Sequence, residues 1–206
     1  MRGLDGKVAI VPGGATKIGA AIVRAFRDAG VKVMIADINA EAGEALTGDG
    51  IGFTKTDLRD DAQIADLVKA TKEKFGRIDF LVNVACSYLD NGAESTRAEW
   101  LESLDVNIVG SVMLMQAARS ELAKNKGAIV NFGSISARVA QTGRWLYPVS
   151  KAAILQLTRN QAMDLAPEGI RVNAVSPGWT WSNIMDERTG GDREKTDRVA
   201  APFHLL

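Results

Sequence analysis

Residues 7–19 read KVAIVPGGATKIG, an apolar run followed by a cluster of small residues and the beginning of a helical pattern. The run Lys7–Val11 has the β-branched composition of a buried strand, and Ile22, Val23 and Phe26 then recur at the spacing of a helix face. Small residues between a strand and a helix let backbone N–H groups approach a phosphate at the helix N-terminus. A purely structural turn would also use glycines, but this position in the chain favours nucleotide binding.

The same alternation of apolar runs and helical patterns continues along the chain and predicts the fold class. Further apolar runs occur at Val31–Ala36, Gly50–Thr54, Ile78–Asn83, Ala128–Phe132 and Ile170–Val175. Helical patterns occupy Ile18–Ala29, Asn39–Leu46, Asp60–Phe75, Thr96–Leu122 and Leu146–Leu165, and the chain beyond Pro177 turns polar and irregular. Such a pattern indicates a parallel sheet covered on both faces, and right-handed crossovers make it doubly wound and Rossmann-like. We expect residues 1–206 to form a single α/β domain.

Composition and charge exclude several classes of protein. Hydrophobic residues make up 46% of the chain and charged residues 24%, which excludes collagen-like, disordered and disulfide-scaffold proteins. Lysine plus arginine number 25, as do aspartate plus glutamate, so no nucleic-acid partner is indicated. The single cysteine, Cys86, excludes an intrachain disulfide. The single histidine, His204, excludes a histidine-based triad or a multi-histidine metal site within one chain, and we expect no metal.

Membrane and export signals are not found in the sequence. The chain contains no run of about 18 apolar residues, so we expect no transmembrane helix and no membrane partner. It enters an apolar strand directly after Met1–Gly6, without the pattern of a signal peptide. Together with the single cysteine, this favours a cytoplasmic location.

Asp37 ends the second predicted strand, 24 positions after Gly13. An acidic residue at about this separation from a glycine loop accepts hydrogen bonds from the ribose hydroxyls of a dinucleotide. Its charge would repel a 2′-phosphate, so it favours NAD over NADP. The alternative is a turn or N-cap acid before the helix that begins near Asn39.

A phenol and an ammonium lie four positions apart at Tyr147 and Lys151, on one face of a predicted helix. An ammonium stabilises the phenolate form of a neighbouring tyrosine, which otherwise ionises only near pH 10. Ser134 follows the fifth strand, 13 positions before Tyr147, where its hydroxyl could bind a carbonyl or alcohol oxygen. Alone, this pair is more often an exposed tyrosine beside a solvated lysine, but the serine and the glycine loop favour catalysis.

These features together resemble the short-chain dehydrogenase/reductase family, and the resemblance covers essentially the whole chain. The glycine loop is similar to the family's Thr-Gly-x-x-x-Gly-x-Gly, and Tyr147 and Lys151 match its Tyr-x-x-x-Lys pair. Further matches are the acid Asp57, beside Leu58, the Asn83–Cys86 segment in place of Asn-Asn-Ala-Gly, the helical Asn107, and the RVNAVSPG segment at Arg171–Gly178.

The resemblance implies a catalytic tetrad. Tyr147 is the implied general acid/base, Lys151 binds the nicotinamide ribose, Ser134 orients and polarises the substrate carbonyl, and Asn107 holds a water that links Lys151 to solvent. The implied cofactor-binding residues are Gly13, Lys17, Ile18, Gly19, Asp37, Asp57, Leu58, Asn83, Ala85, Tyr147, Lys151, Pro177, Gly178 and Thr180. With NAD favoured over NADP, the implied function is NAD(P)-dependent oxidation and reduction of a secondary alcohol or ketone.

Four departures from the family pattern lie on the cofactor side. Pro12 replaces a threonine that braces the turn, Lys17 replaces the middle glycine of the loop, and Val84 and Cys86 replace an asparagine and a glycine. Lys17 could compensate by its charge, or could meet a 2′-phosphate. An alternative function is therefore a catalytically idle nucleotide-binding or interaction protein with weakened cofactor affinity. For Cys86, a small residue lining the cleft is favoured over a reactive thiol.

The expected substrate pocket contains Cys86, Tyr88, Trp145, Trp179 and Trp181, because the loops after the fourth and sixth strands and before Tyr147 line it in the family. Three of the four tryptophans fall in these loops, which suggests a bulky, cyclic or aromatic alcohol or ketone. Alternatively, these tryptophans pack against a lid or a neighbouring subunit.

We expect residues 179–206 to be a substrate lid and the start of a further C-terminal segment. Family members continue with another helix and a seventh strand, so this chain is expected to be part of a longer protein and to leave Ile170–Val175 as an exposed edge strand. The resemblance also implies a homodimer or homotetramer that uses the helices Thr96–Leu122 and Leu146–Leu165.

Overall fold

Six parallel strands form one sheet in the computed structural model, which describes residues 3–201. The strands are β1 (Val8–Pro12), β2 (Lys32–Asp37), β3 (Ile51–Lys55), β4 (Phe80–Asn83), β5 (Ala128–Phe132) and β6 (Arg171–Val175). Their order is β3-β2-β1-β4-β5-β6, with every neighbouring pair parallel. The order reverses between β1 and β4, and ligands of doubly wound sheets bind in the crevice at such a reversal. The predicted fold class is confirmed.

Helices connect the strands and cover the sheet. Within the described residues they are α1 (Lys17–Asp28), α2 (Ala40–Glu44), α3 (Asp61–Phe75), α4 (Arg97–Leu104), α5 (Gly110–Lys124), α6 (Leu146–Leu165), α7 (Asn183–Thr189) and α8 (Arg193–Ala200). None of the helices between residues 3 and 201 combines the length and the apolar character that a membrane span requires.

The centre of the sheet is buried on both faces. All five residues of β1 are buried. Ile10 packs in one cluster with Leu67 of α3 and Leu114 of α5, whereas Val11 packs in another cluster with Val23 of α1. Successive side chains of a strand point to opposite faces, so this short apolar run joins the two halves of the core.

The strand β6 is much less covered. Among the described strands it pairs only with β5. Val172 is buried, but the other four residues of the strand are exposed, and the Val175 side chain is 47% exposed. Within residues 3–201, both faces of the sheet are therefore covered at β1 but not at β6. This agrees with the expected exposed edge strand.

The single helix predicted over Thr96–Leu122 is divided in two. Thr96 caps α4 in a capping box with Glu99, and a π-helical turn at Asp105–Val109 then separates α4 from α5. Gly110 begins α5 where a Cβ atom would lie only 2.6 Å from the Leu58 carbonyl oxygen. The break follows from this close approach to the loop after β3, which no local periodicity reveals.

The prediction that the chain beyond Pro177 is irregular is wrong for α7 and α8. Ser182 caps α7 by accepting a hydrogen bond from the Met185 N–H, and Asp192 caps α8 in the same way from Lys195. These helices have seven and eight residues, too short for a clear apolar period, so their cap residues were the available signal. Residues 202–206 of the predicted lid lie outside the described residues.

Candidate active site

A cavity of about 260 Å³ opens at the carboxyl ends of the central strands, where the strand order reverses. The predicted site residues that line it are Ile18, Cys86, Tyr88, Ser134, Tyr147, Lys151, Pro177, Gly178, Trp179 and Thr180. Backbone hydrogen bonds from Gly133 to Val175 (2.8 Å) and from Ile135 to Pro177 (3.1 Å) hold the segments after β5 and β6 side by side. Residues from four separate loops therefore meet in one crevice.

The glycine loop packs tightly against the segment after β4. Gly13 has a φ angle of +74°, and a Cβ atom there would lie 2.6 Å from the backbone nitrogen of Ala85. A Cβ on Gly19 would lie 2.1 Å from the Gly13 carbonyl oxygen. Thr16 caps α1 by accepting from the Gly19 N–H (3.1 Å) and donates to the Gly13 carbonyl (2.8 Å). Both predicted glycines are thus required by close backbone packing at a helix N-terminus.

Backbone hydrogen bonds hold the turn at Pro12 in place of the missing threonine. Its carbonyl accepts hydrogen bonds from the N–H groups of Val84 (3.2 Å) and Ala85 (2.9 Å), and the next N–H, of Gly13, donates to Ala36 (2.8 Å). These bonds tie β1 to β2 and β4 without a side-chain hydroxyl. The first of the four departures from the family pattern therefore has a structural compensation.

Lys17 is engaged by α7. Its backbone N–H donates to the Asn183 side-chain oxygen (2.8 Å), its ammonium forms an ion pair with Asp186, and the ammonium also lies 5.5 Å from the ring centroid of Trp181. The structure thus places this predicted cofactor-binding cation, and the first N–H group of α1, against the C-terminal part of the chain. Lys17 is not among the residues lining the cavity.

Asp37 lies beside the glycine loop, as its spacing predicts. One carboxylate oxygen accepts from the Ala15 N–H (3.1 Å) and the other from the Asn39 N–H (3.0 Å). The cap of α2 is Asn39 itself, so Asp37 serves as a turn acid and not as the N-cap. A carboxylate offers about four acceptor positions, which leaves about two for ribose hydroxyls.

Asp57 lies in the loop after β3 and is paired with Arg59 through two side-chain nitrogens, the shorter contact being 2.7 Å. The hydrogen bond from the Arg59 side chain holds the pKa of Asp57 below its ordinary value. The neighbouring Leu58 is buried under Gly110 of α5. Thr56 donates its N–H to the Asp37 carbonyl (3.0 Å), which brings this loop to the same edge of the crevice.

Asn83 belongs to a buried amide network beneath the cavity. Its side-chain nitrogen donates to Asn131 (2.8 Å), whose own nitrogen donates to Thr158 (2.9 Å) and Gln161 (3.1 Å). The network joins β4 and β5 to α6, the helix that carries Tyr147 and Lys151. The predictions included Asn83 but not the other three residues, because they are 27 or more positions away from their partners.

Three of the four predicted catalytic side chains, Ser134, Tyr147 and Lys151, line the cavity. Lys151 is buried, its ammonium lies 5.5 Å from the ring centroid of Tyr147, and it donates to the Phe132 carbonyl (2.9 Å). The Ser134 hydroxyl is also buried, and its oxygen lies 3.1 Å from both the Ser136 hydroxyl and the Ser136 N–H. A phenol, an ammonium and an alcohol that face one space can together bind and protonate a carbonyl oxygen.

Asn107 lies in the π-helical turn, a feature that is frequent at functional sites. Its side-chain oxygen accepts from the Ser87 N–H (2.6 Å), and its nitrogen donates to the Ser87 carbonyl (3.1 Å) and the Ser150 hydroxyl (3.1 Å). The side chain therefore joins the loop after β4 to α6. It does not line the cavity, and its water-holding role stays a prediction.

The structure separates the predicted substrate-pocket residues into two groups. Tyr88 stacks on Tyr147, with ring centroids 5.2 Å apart, and Trp179 also lines the cavity. Trp145 is 53% exposed, and Trp181 lies against Lys17, so neither lines the cavity. One of the three tryptophans therefore contributes to the pocket, which weakens the argument for a bulky substrate.

Burial controls the protonation of two pocket residues. It raises the pKa of the Tyr88 phenol, and it raises the pKa of the Cys86 thiol more than the nearby Lys151 and Arg144 lower it. Both groups are therefore neutral near pH 7. A protonated thiol is a poor nucleophile, which favours the lining role of Cys86.

Asp90 is a site residue that the sequence did not reveal. Its carboxylate accepts from the N–H groups of Trp145 (2.8 Å), Tyr147 (3.0 Å) and Gly92 (3.1 Å), and its side chain is fully buried. The helix α6 has no capping side chain at its own N-cap residue, Trp145, so Asp90 supplies the cap from 55 positions away. No local pattern in the sequence marks such a partner.

Arg144 belongs to the loop before Tyr147, which was expected to line the substrate pocket, although the pocket residue predicted in that loop was Trp145. Arg144 lines the cavity, and its guanidinium carbon lies 4.7 Å from the ring centroid of Tyr147. Among the residues described, no group of three or more potential metal ligands lies close together, so no metal centre is indicated there.

Comparisons with known proteins agree with this geometry. A family model described as Enoyl-(Acyl carrier protein) reductase matches residues 13–204. L-fucose dehydrogenase of Mus musculus is 34% identical over 187 residues, which cover 89% of this chain and 68% of the relative. A protein of Melia azedarach named (21S)-21-acetoxyl-apo-melianone synthase SDR is 35% identical over 182 residues, covering 84% of this chain and 67% of the relative.

A solved structure shows the same fold at similar coverage. The 3-ketoacyl-(acyl-carrier-protein) reductase from Brucella melitensis, complexed with NADH, matches with a TM-score of 0.85 and 26% identity, over 88% of this chain and 79% of that one. The family match extends from the glycine loop through Tyr147 and Lys151 to the C-terminal helices. The chain belongs to the short-chain dehydrogenase/reductase family.

Proposed function

We propose that the chain catalyses reversible hydride transfer between NAD and a secondary alcohol or ketone, with Tyr147 as the general acid/base. The observation that carries this proposal is the juxtaposition of the Tyr147 phenol, the buried Lys151 ammonium and the Ser134 hydroxyl in one cavity. Family membership, a relative named as a dehydrogenase and a ketoacyl reductase solved with NADH support an NAD(P)-dependent oxidoreductase acting on CH–OH groups.

The residues of the crevice fit a nicotinamide dinucleotide. The glycine loop leaves room for no side chain at Gly13 or Gly19, and it ends at the N-terminus of α1, where backbone N–H groups attract phosphate. Asp37 retains acceptor positions beside this loop for the ribose hydroxyls. Asp57 would approach the adenine, and Pro177, Gly178 and Thr180 would contact the nicotinamide end. The charge of Asp37 is the reason to favour NAD over NADP.

In this proposal, side chains of the protein orient the substrate and transfer the proton. When bound, the cofactor supplies or accepts the hydride. Ser134 donates a hydrogen bond that orients the substrate oxygen, and Tyr147 delivers or removes the proton at that oxygen. The ammonium of Lys151, 5.5 Å from the ring centroid of Tyr147, would bind the nicotinamide ribose. The Tyr88 ring stacks on Tyr147 and so helps to hold the position of its ring.

A second candidate function, a catalytically idle nucleotide-binding protein, is favoured by the contacts of α7. The first N–H of α1 and the Lys17 ammonium both already have partners in that helix, Asn183 and Asp186. A dinucleotide would therefore compete with α7 for this end of the crevice. Weak affinity for both dinucleotides together with no turnover is the behaviour expected of this alternative.

Dinucleotide titration followed by a substrate panel tests the proposal. We expect NADH to bind more tightly than NADPH, and at least one secondary alcohol to reduce NAD⁺, followed by absorbance at 340 nm. Control reactions omit the protein or use the Ser134→Ala variant. Binding of NADH without turnover across linear, cyclic, aromatic, sugar and hydroxy-acid alcohols would contradict the proposed activity.

The cytoplasmic location and the oligomeric state remain predictions.

A further inference from the structure

The charge of the cavity differs from that of the whole chain. Its titratable lining residues are Cys86, Tyr88, Arg144, Tyr147 and Lys151, and no carboxylate is among the lining residues described. Because the thiol and the Tyr88 phenol are neutral, Arg144 and Lys151 make the cavity a cationic space. Lys151 has a place in the proposed hydride transfer and donates to the Phe132 carbonyl. Arg144 has no role in that chemistry.

Two nitrogens of the Arg144 guanidinium lack hydrogen-bond partners. Its Nε and Nη2 atoms are buried and form no hydrogen bond among the described residues. These two nitrogens form one edge of the guanidinium, the edge that binds a carboxylate through two parallel hydrogen bonds. The nearby Gln141 side-chain oxygen, also in the cavity wall, is likewise buried and unpaired. A ligand that binds this edge therefore displaces no hydrogen bond, although it would share the guanidinium with the ion pair to Asp90.

The nearest acid, Asp90, does not satisfy Arg144. The Arg144 Nε atom lies 3.5 Å from Asp90 Oδ2, which is close enough for an ion pair but does not meet the geometry of a hydrogen bond. The same carboxylate already accepts from the backbone N–H groups of Gly92, Trp145 and Tyr147. The negative charge of Asp90 attracts the guanidinium, while the Nε and Nη2 hydrogen-bond donors have no acceptor.

We propose that Arg144 binds a carboxylate group of the substrate, so that the enzyme acts on hydroxy acids and the corresponding keto acids. The inference rests on the proposed function and names the substrate class of the same site. The guanidinium lies against the ring of Tyr147, so the carboxylate is placed a few bonds from the alcohol carbon and not at the far end of a long chain. Tyr88 and Trp179 cover the apolar remainder of the substrate.

The first experiment compares 2-, 3- and 4-hydroxy acids with their own primary amides, which have the same shape without the charge. We expect kcat/KM for at least one acid to exceed that of its amide by tenfold or more, mainly through a lower KM. In Arg144→Gln this acid-to-amide ratio should fall close to one. In Arg144→Lys it should stay above one but below wild type, because an ammonium lacks the two-pronged geometry.

Binding without turnover separates this inference from the proposed function. Tryptophan fluorescence follows the binding of malonate and of neutral malonamide, with NADH present. Malonate binding that exceeds malonamide binding and is lost in Arg144→Gln supports the anion site, even when no alcohol is oxidised. Equal kcat/KM for every acid and its amide, or an acid preference that survives in Arg144→Gln, overturns it. The comparison of acids with their amides on the wild-type protein needs no substitution. The test therefore stays decisive even if a variant fails to fold.

Discussion

Three side chains surround the ring of Tyr147. Tyr88 stacks on its ring at 5.2 Å, the Arg144 guanidinium lies 4.7 Å from its centroid, and the Lys151 ammonium lies 5.5 Å away. Two cationic side chains therefore lie beside one aromatic ring. We assign proton transfer to Tyr147 because it faces the cavity with Lys151 and Ser134, whereas burial raises the pKa of Tyr88.

Replacing Tyr147 by phenylalanine removes the hydroxyl and retains the ring packing. We expect kcat to fall by about 10²-fold or more, the usual contribution of a general acid/base. NADH affinity and the midpoint of urea unfolding should change little. Steady-state kinetics with the best substrate of the panel measures the effect, and Tyr88→Phe is the matched control. Full activity of Tyr147→Phe would show that the acid/base assignment is wrong.

Asp37 governs the predicted choice of cofactor. We expect Asp37→Ala to relax the preference for NAD by about tenfold or more in the ratio of dissociation constants, because the anion that faces the ribose 2′ position is removed. Fluorescence titration with NADH and NADPH measures both constants. In Asp57→Asn, the control, both affinities should weaken to a similar extent. If the unmodified protein binds both dinucleotides equally, Lys17 and not Asp37 dominates.

At the scale of elements, α6 depends on a cap from outside the helix. Asp90→Ala leaves the N–H groups of Trp145 and Tyr147 without their acceptor, so we expect the free energy of unfolding to fall by about 2 kcal/mol. Activity should fall as well, since the helix end that carries Tyr147 loosens. Urea denaturation and kinetics measure the two effects. The control, Thr96→Ala, removes the cap of α4 and should cost about 1 kcal/mol while activity is retained.

The same cap has a defined pH dependence. Burial alone would raise the pKa of Asp90, but the backbone hydrogen bonds from Trp145, Tyr147 and Gly92 bring it below its ordinary value. Its ionised form therefore stabilises the folded chain at pH values above the unfolded carboxyl pKa of about 3.9. The stability difference between wild type and Asp90→Asn should be constant from about pH 5 to 8 and shrink as the pH falls below about 4. A difference that grows on acidification would contradict the capping role.

The contact between α7 and the glycine loop competes with phosphate binding. Asn183 accepts from the first N–H of α1, and Asp186 neutralises Lys17. We expect the Asn183→Ala, Asp186→Asn double variant to bind NADH several-fold more tightly, because these groups become available to the pyrophosphate. Titration of NADH fluorescence measures the change. Glu187→Gln, at an exposed acid of the same helix, is the control, and weaker binding by the double variant would contradict the competition.

For the whole molecule, we predict that a second copy binds at exposed apolar side chains of two helices. On the helices expected to form the dimer, Leu101 is 61% exposed, Val109 45% and Met163 80%. We predict that the 206-residue chain keeps a dimer through these helices but loses tetramer stability and solubility, because the exposed edge of β6 promotes aggregation. Light scattering should therefore show that Met163→Lys weakens the dimer, whereas Val175→Lys reduces only the larger species. A soluble, active tetramer of the 22.0 kDa chain would contradict this prediction.

The elements that the sequence predicts best are those whose signals are local. The strands and most helices agree within a few residues, and α6 has the predicted bounds, Leu146–Leu165. The exceptions follow from contacts. The π-helical turn accommodates the approach of Gly110 to Leu58, and α7 and α8 depend on caps more than on periodicity. A pattern that spans one helix or strand carries no information about what packs against it.

The sequence by itself determined the alternation of strands and helices, the tight turn at Gly13 and Gly19, and the pairing of Tyr147 with Lys151, because each depends on neighbours within one turn or one loop. Only the tertiary structure decided that Asp90 caps α6, and that the Arg144 guanidinium lies beside Tyr147 with two nitrogens that form no hydrogen bond. The donors that Asp90 satisfies at α6 lie 55 and 57 residues away. Contacts at such separations arise when the chain folds and leave no spacing rule in the sequence.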